Sequence, residues 1–186
     1  DNGTVAGGYG FSDNVYASGG SGADTITVGS ASPFNATIDG GDNDDVINAR
    51  AVRGLSIEGG NGNDNITAYA DRDPSAFAYV TVGGGSGNDT ITVHAGDYSS
   101  VTGGDGNDLI DVTSGTDGVG SHSIWGNDGN DTISVHGVNV TRIDGGSDAG
   151  NDLINLQALG GNVDTIVFGD VGYNGDPAAA TLETGN

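Results

Sequence analysis

The chain has 186 residues, with 4 Lys+Arg against 26 Asp+Glu and a formal charge of -22. A surface so acidic argues against nucleic acid as a partner, and four Arg (Arg50, Arg53, Arg72, Arg142) cannot make a basic groove. There is no Cys to form disulfides, and no apolar run long enough for membrane insertion. Nearly all the acid is Asp, with Glu only at Glu58 and Glu183. Asp is a poor helix former but a good turn residue and oxygen ligand, so the excess points to cation-binding loops. The chain also lacks Met and a charged n-region with an apolar core, and reads as a mature or excised segment.

From the N-terminus, an imperfect copy of a motif, Gly7-Gly8-Tyr9-Gly10-Phe11-Ser12-Asp13, precedes the first good one, Gly19–Thr27 (GGSGADTIT). Its frame is Gly-Gly-x-Gly-x-Asp-x-U-x, with U a large aliphatic residue. It returns as Gly40–Asn48 (GGDNDDVIN), Gly59–Thr67 (GGNGNDNIT), Gly84–Thr92 (GGSGNDTIT), Gly103–Asp111 (GGDGNDLID) and Gly126–Ser134 (GNDGNDTIS). Gly145–Asn155 (GGSDAGNDLIN) carries two extra residues, Asp148 and Ala149, and Gly169–Asp176 is degenerate. Seven copies place their sixth-position carboxylates at Asp24, Asp45, Asp64, Asp89, Asp108, Asp131 and Asp152, separated by 21, 19, 25, 19, 23 and 21 residues. A period near twenty indicates a solenoid in which each repeat makes one turn.

No segment reads as helix, because Gly is dense and the apolar residues alternate with period two. Each turn is predicted to hold two short strands flanking the Gly-rich loop. The incoming strand ends on Ile38, Ile57, Val82, Val101, Ile124 or Ile143. The outgoing strand points Ile26, Ile47, Ile66, Ile91, Ile110, Ile133 or Ile154 inward, followed two places later by Val28, Ala49, Ala68, Val93, Val112, Val135 or Leu156. These residues form aliphatic columns between two parallel sheets, with Thr25, Thr27, Thr90, Thr92, Thr132 and Ser134 facing solvent. At ~4.8 Å per strand, about nine turns make a rod on the order of 40 Å long. The expected fold is all-β: a right-handed parallel β-roll or β-solenoid of about 19–25 residues per turn. It forms a single elongated domain over 1–186, with core repeats at 19–156 and degenerate terminal turns at 1–18 and 157–186. Length varies on the edge opposite the loops, where short and long connections alternate. Such an edge suits specificity or lateral contacts.

The loop glycines allow backbone angles that turn several carbonyls to one side, and the sixth-position Asp adds a carboxylate. Hard oxygens in a flexible cage suit Ca2+ better than Mg2+. One loop is too short to encircle an ion, but two loops a turn apart can sandwich it, giving a single calcium column along one edge. Seven loops sandwich about six ions, and the degenerate ends bring the range to about six to eight. Binding and folding are then coupled, and without a cation self-repulsion opposes compaction.

These nonapeptides resemble the repeat-in-toxin (hemolysin-type) calcium-binding repeats over roughly Gly19 to Asn155. The resemblance implies that the seven motif Asp carboxylates are calcium ligands. It implies the same for loop carbonyls at the first and third positions: Gly19, Ser21, Gly40, Asp42, Gly59, Asn61, Gly84, Ser86, Gly103, Asp105, Gly126, Asp128 and Gly145. It also implies secretion and folding triggered by extracellular calcium. That family usually runs nonapeptides back to back with ions on both edges, whereas here every other half-turn carries the motif. Asn43 and Asn127 each replace a loop Gly, and the Asp148-Ala149 insertion distorts a third loop.

The fifth-position Asn63, Asn88, Asn107, Asn130 and Asn151 are expected to stack as an amide ladder. Arg50, His94 and His136 occupy equivalent places, the two His two turns apart and too far to share a metal. Trp125 takes an outward place filled elsewhere by Asp39, Glu58, Thr102 and Asp144, packing under a long connection or offering a platform for sugar. No catalytic residues are predicted: there is no Cys nucleophile, Ser121-His122 shows no carboxylate geometry, and Arg142 alone would serve a lyase. The reading that follows is a calcium-stabilised structural module of a secreted bacterial surface protein, such as an adhesin, surface layer or extracellular fibre. Its junction LETGN-DNGTV would complete a loop between head-to-tail copies. The rival readings are a module binding cell-surface glycan and the folding and secretion tail of an exported enzyme.

Overall fold

The computed structural model describes residues 4–7, 14–29, 35–51, 53–70, 78–95, 97–114, 121–137, 140–146, 150–158, 166–167 and 181–184. Within them the chain is an all-β solenoid. A nine-stranded sheet runs from Thr4–Gly7 to Thr181–Thr184, and an eight-stranded sheet runs from Asn14–Ser21 to Ile166–Val167. Successive strands alternate between the sheets, and every pairing within a sheet is parallel. No helix occurs among the described residues.

The register follows from the aliphatic columns. Ile26 pairs with Ile47, Ile47 with Ile66, Ile66 with Ile91, and the series continues through Ile110 and Ile133 to Ile154. All seven are 0% exposed, and a fully buried Ile contributes roughly 1.5–3 kcal/mol. In the facing sheet Ile38, Ile57, Val82, Val101, Ile124 and Ile143 form the matching buried column. A one-residue slip would turn these side chains out to solvent, so the register tolerates unequal repeat lengths only if surplus residues leave at one edge. The register irregularity at that edge fits this rule: His122 pairs with Val140 but Ser123 pairs with Arg142.

One boundary differs from expectation. Six incoming strands do not stop before the motif but include its first three residues, as in Tyr98–Asp105 and Asn35–Asp42, whereas Val140–Asp144 ends just before Gly145. Gly104 pairs with Gly85 and Asp105 with Ser86 across adjacent turns, so the second and third motif residues are themselves laddered. The loop proper shrinks to the next three residues. The imperfect copies at both ends, the Asp148-Ala149 insertion and the long connections on the variable edge fall outside the described residues.

Candidate cation-binding edge

The loops stack one upon another along one edge because two positions turn the backbone sharply. The second and fourth motif positions have positive φ, as at Gly85 (113°) and Gly87 (127°). Where the sequence departs from Gly, the conformation persists: Asn43 holds φ 78° and Asn127 φ 77°. Asn enters the left-handed region more readily than other side-chain-bearing residues, so both loops keep the turn that glycine makes elsewhere. The first glycine has a different role. A Cβ on Gly84 would collide with Asp89 Oδ2 and with the Gly103 carbonyl oxygen, so the carboxylate packs against a bare Cα.

The seven motif Asp residues form one column, each only 1–6% exposed. From Asp45 onward, each uses Oδ1 to accept the main-chain N–H of the motif Asp one turn earlier. Asp64 N donates to Asp89 Oδ1 at 2.7 Å, and Asp89 N to Asp108 Oδ1 at 2.8 Å. The same bond links Asp24 to Asp45, Asp45 to Asp64, Asp108 to Asp131 and Asp131 to Asp152. The second oxygens of Asp45, Asp64, Asp89 and Asp108 are buried with no hydrogen-bond partner. A buried polar atom left in this way costs about 1–3 kcal/mol, and more when charged.

Electrostatics point the same way. Burial pushes the Asp64 and Asp89 carboxyls up to about 6 from 3.8; the donated N–H pulls back, and neighbouring carboxylates add to the rise. Asp45 and Asp108 are raised by the same dominant cause, loss of solvent. The charges acting most strongly on these four are all negative. A stacked column of buried, like-charged carboxylates calls for positive charge from outside the chain, as protons or as a cation. Among the described residues no group of three or more His, Asp or Glu side chains is close enough to hold a metal ion by itself. A cation here must therefore take most of its oxygens from the main chain.

The structure brings the sequence-predicted residues together unequally. Gly40, Gly59, Gly84, Gly103, Gly126 and Gly145 lie in the stacked loops against the motif Asp side chains, and Gly19 does the same at the first loop. Third-position carbonyls already accept one hydrogen bond each in several turns. Gly62 N donates to Ser86 O, Gly87 N to Asp105 O, Gly106 N to Asp128 O, and Gly22 N to Asp42 O. A carbonyl oxygen has two lone pairs, so one remains for a further partner. The third-position side chains of Ser21, Asp42, Asn61, Asp105 and Asp128 are exposed, and Asn61 Nδ2 donates to Asp42 Oδ1 at 2.7 Å.

The amide ladder is present beside the carboxylate column. Asn88 N donates to Asn63 Oδ1, Asn107 N to Asn88 Oδ1, Asn130 N to Asn107 Oδ1 and Asn151 N to Asn130 Oδ1, at 2.7–2.8 Å. Asp44 begins the series by accepting from Asn63 N. Donation runs toward the N-terminal turn here and toward the C-terminal turn in the Asp column.

His94 and His136 share a column with Thr113 between them, as expected, and His94 stacks on Tyr69 at 4.6 Å. His136 Nε2 lies 3.6 Å from Asp111 Oδ1. A buried cluster was missed in the sequence. His122 is 1% exposed, its Nδ1 2.8 Å from Ser99 Oγ, and burial lowers its pKa while the nearby Asp97 charge opposes the shift. Ser99 and His122 fill inward places taken by Ala36, Leu55 and Val80 in other turns, and counting along that column would have revealed them. Asp97, Ser99 and His122 are all buried, with Asp97 Oδ2 accepting from Ala78 N, so they form an internal polar layer rather than an accessible site.

Compared with protein-family models, curated proteins and solved structures, the chain matches none.

Proposed function

We propose that this chain is a calcium-stabilised structural module of a secreted bacterial surface protein, with Ca2+ held between successive loops along the carboxylate column. One comparison within the molecule carries the proposal. The fifth-position Asn residues make the same type of inter-turn N–H···Oδ1 bond as the sixth-position Asp residues, at the same distances but in the opposite direction. Laddering therefore needs no carboxylate. Placing Asp in the buried column adds charge that the ladder does not use, and leaves Oδ2 of four consecutive turns without a hydrogen bond. An oxygen-rich edge with flexible main-chain carbonyls and one carboxylate per turn is the donor set that Ca2+ accepts. Bound calcium supplies the missing positive charge and ties neighbouring turns together. The residues themselves hold the Gly-Gly-x backbone in register and orient one carboxylate oxygen through the ladder.

The resemblance to repeat-in-toxin repeats supports the same reading, including export and folding outside the cell. A rigid, acidic, repetitive rod suits an adhesin, surface layer or fibre, with assembly through the ends of the solenoid. Mass and hydrodynamic size measured together, in chelator and then in millimolar calcium, test it. An expanded chain that compacts on calcium addition is the expected result, and a rise in mass would add self-assembly. A chain whose size ignores calcium would overturn the proposal.

A further inference from the structure

On the outer face of the eight-stranded sheet, next to the loop stack, Asp105, Trp125, Asn127, Asp128, Asp144 and Gly146 line an open cleft of ≈ 360 Å³. The register builds it. Trp125 pairs with Thr102 on one side and Asp144 on the other, so the indole stands beside a small side chain and a short acid. Asp105 pairs with Asp128 at the third motif position, where both side chains are exposed. Arg142 hydrogen-bonds Asp144 and offsets one of the three carboxylates.

From this geometry we infer that the cleft binds an organic ammonium ion, seated on the Trp125 ring and held by Asp105, Asp128 and Asp144. Trp offers the strongest aromatic face for a cation, and such contacts strengthen where acidic groups add to the ring's negative potential. Charged acceptors dominate the lining: three carboxylates, against the N–H donors of one indole and one amide, with the neighbouring guanidinium already engaged. A neutral sugar presents hydroxyls that need both donors and acceptors, whereas an ammonium group needs acceptors alone. The overall charge of -22 draws cations toward this face and repels acidic ligands. The site is separate from the proposed calcium column, which uses main-chain carbonyls and buried carboxylates; the cleft uses exposed side chains.

Trp125 is the sole Trp, so its fluorescence reports on the cleft directly. Spermidine is titrated into calcium-saturated protein at constant ionic strength, with circular dichroism confirming the fold. Matched titrations use NaCl and glucose. A saturable change with spermidine alone is expected. In Asp105→Asn/Asp128→Asn the affinity should fall about tenfold, since each lost exposed ion pair is worth a few-fold. Asn61 fills the third position of another turn, so this exchange suits the loop. Trp125→Phe, followed by calorimetry, should weaken binding by several-fold, since Phe keeps a poorer cation face. No saturable response in folded protein, an equal response to NaCl, or saturation by glucose instead of spermidine would each overturn the inference. Full spermidine affinity in the double Asn variant would overturn it as well.

Discussion

Asp89→Asn separates a carboxylate that binds calcium from one that only ladders. Asn keeps Oδ1 as acceptor for the Asp64 N–H, now 2.7 Å away, and replaces the buried, unbonded Oδ2 with an amide of similar size. In chelator at neutral pH the exchange removes a charge whose pKa burial has pushed from 3.8 to about 6. That rise corresponds to a gain on the order of 1–3 kcal/mol, the lower part of the range reflecting solvent near the loop edge. In calcium the sign reverses. Asp89 would serve the ions on both sides of its loop, and each ion at a hundredfold excess over its Kd stabilises by about 2.7 kcal/mol. Weakening both outweighs the gain, for a net loss of roughly 2–4 kcal/mol. The assay is β-structure followed by circular dichroism during calcium titration of both proteins. The variant should start closer to folded in chelator yet need several-fold more calcium to reach its midpoint. Equal destabilisation with and without calcium would mean that Asp89 is a ladder residue only, and the cation reading of the column would fall.

Two further tests bear on the same edge. With Asp64 and Asp89 raised to about 6, the folded state holds more protons than the unfolded state between 3.8 and about 6. Stability in chelator should therefore rise as pH falls from 7 toward 4.5, while the calcium midpoint moves to higher concentration as protons compete; β-content in chelator that falls on acidification would contradict this. Gly84→Ala should cost about 2–4 kcal/mol because its Cβ meets Asp89 Oδ2 and the Gly103 carbonyl. Asn127→Gly should be neutral or gain up to ~1 kcal/mol by relieving φ 77°. Urea unfolding in calcium measures both, and equal losses would refute the assignment of separate roles to the two positions.

Much of this fold was legible because one period fixes everything. Once Asp24 to Asp152 were aligned, the inward places of Ile26 through Ile154 followed from the pleat, and the register bears out each pairing. Strand extent was less legible. A Gly-Gly pair signals a loop in an isolated chain, yet Gly84-Gly85 stay within the strand and Gly85 pairs with Gly104, because the next turn repeats the same backbone. Stacking overrides the local preference. The polar layer of Ser99 and His122 was less legible for another reason: each lies four residues before its motif, at the inward place of Ala36, Leu55 and Val80, but a Ser or His there carries no aliphatic signal of burial.

The column also explains how shape and cation dependence can be specified separately. The aliphatic columns set which residues face inward and need no metal to do so. The Asp column is laid on that same register, so its Oδ1 atoms reinforce the turn-to-turn hydrogen bonds while its Oδ2 atoms accumulate unbalanced charge. Every turn added therefore contributes one increment of apolar burial and one of repulsion. Apolar burial is nearly indifferent to calcium, whereas the repulsion is cancelled by it, so longer arrays should fold over a narrower range of calcium concentration. The fifth-position amides give the control within the same molecule: a parallel ladder with the same bond distances, running the opposite way, that carries little charge and needs no ion.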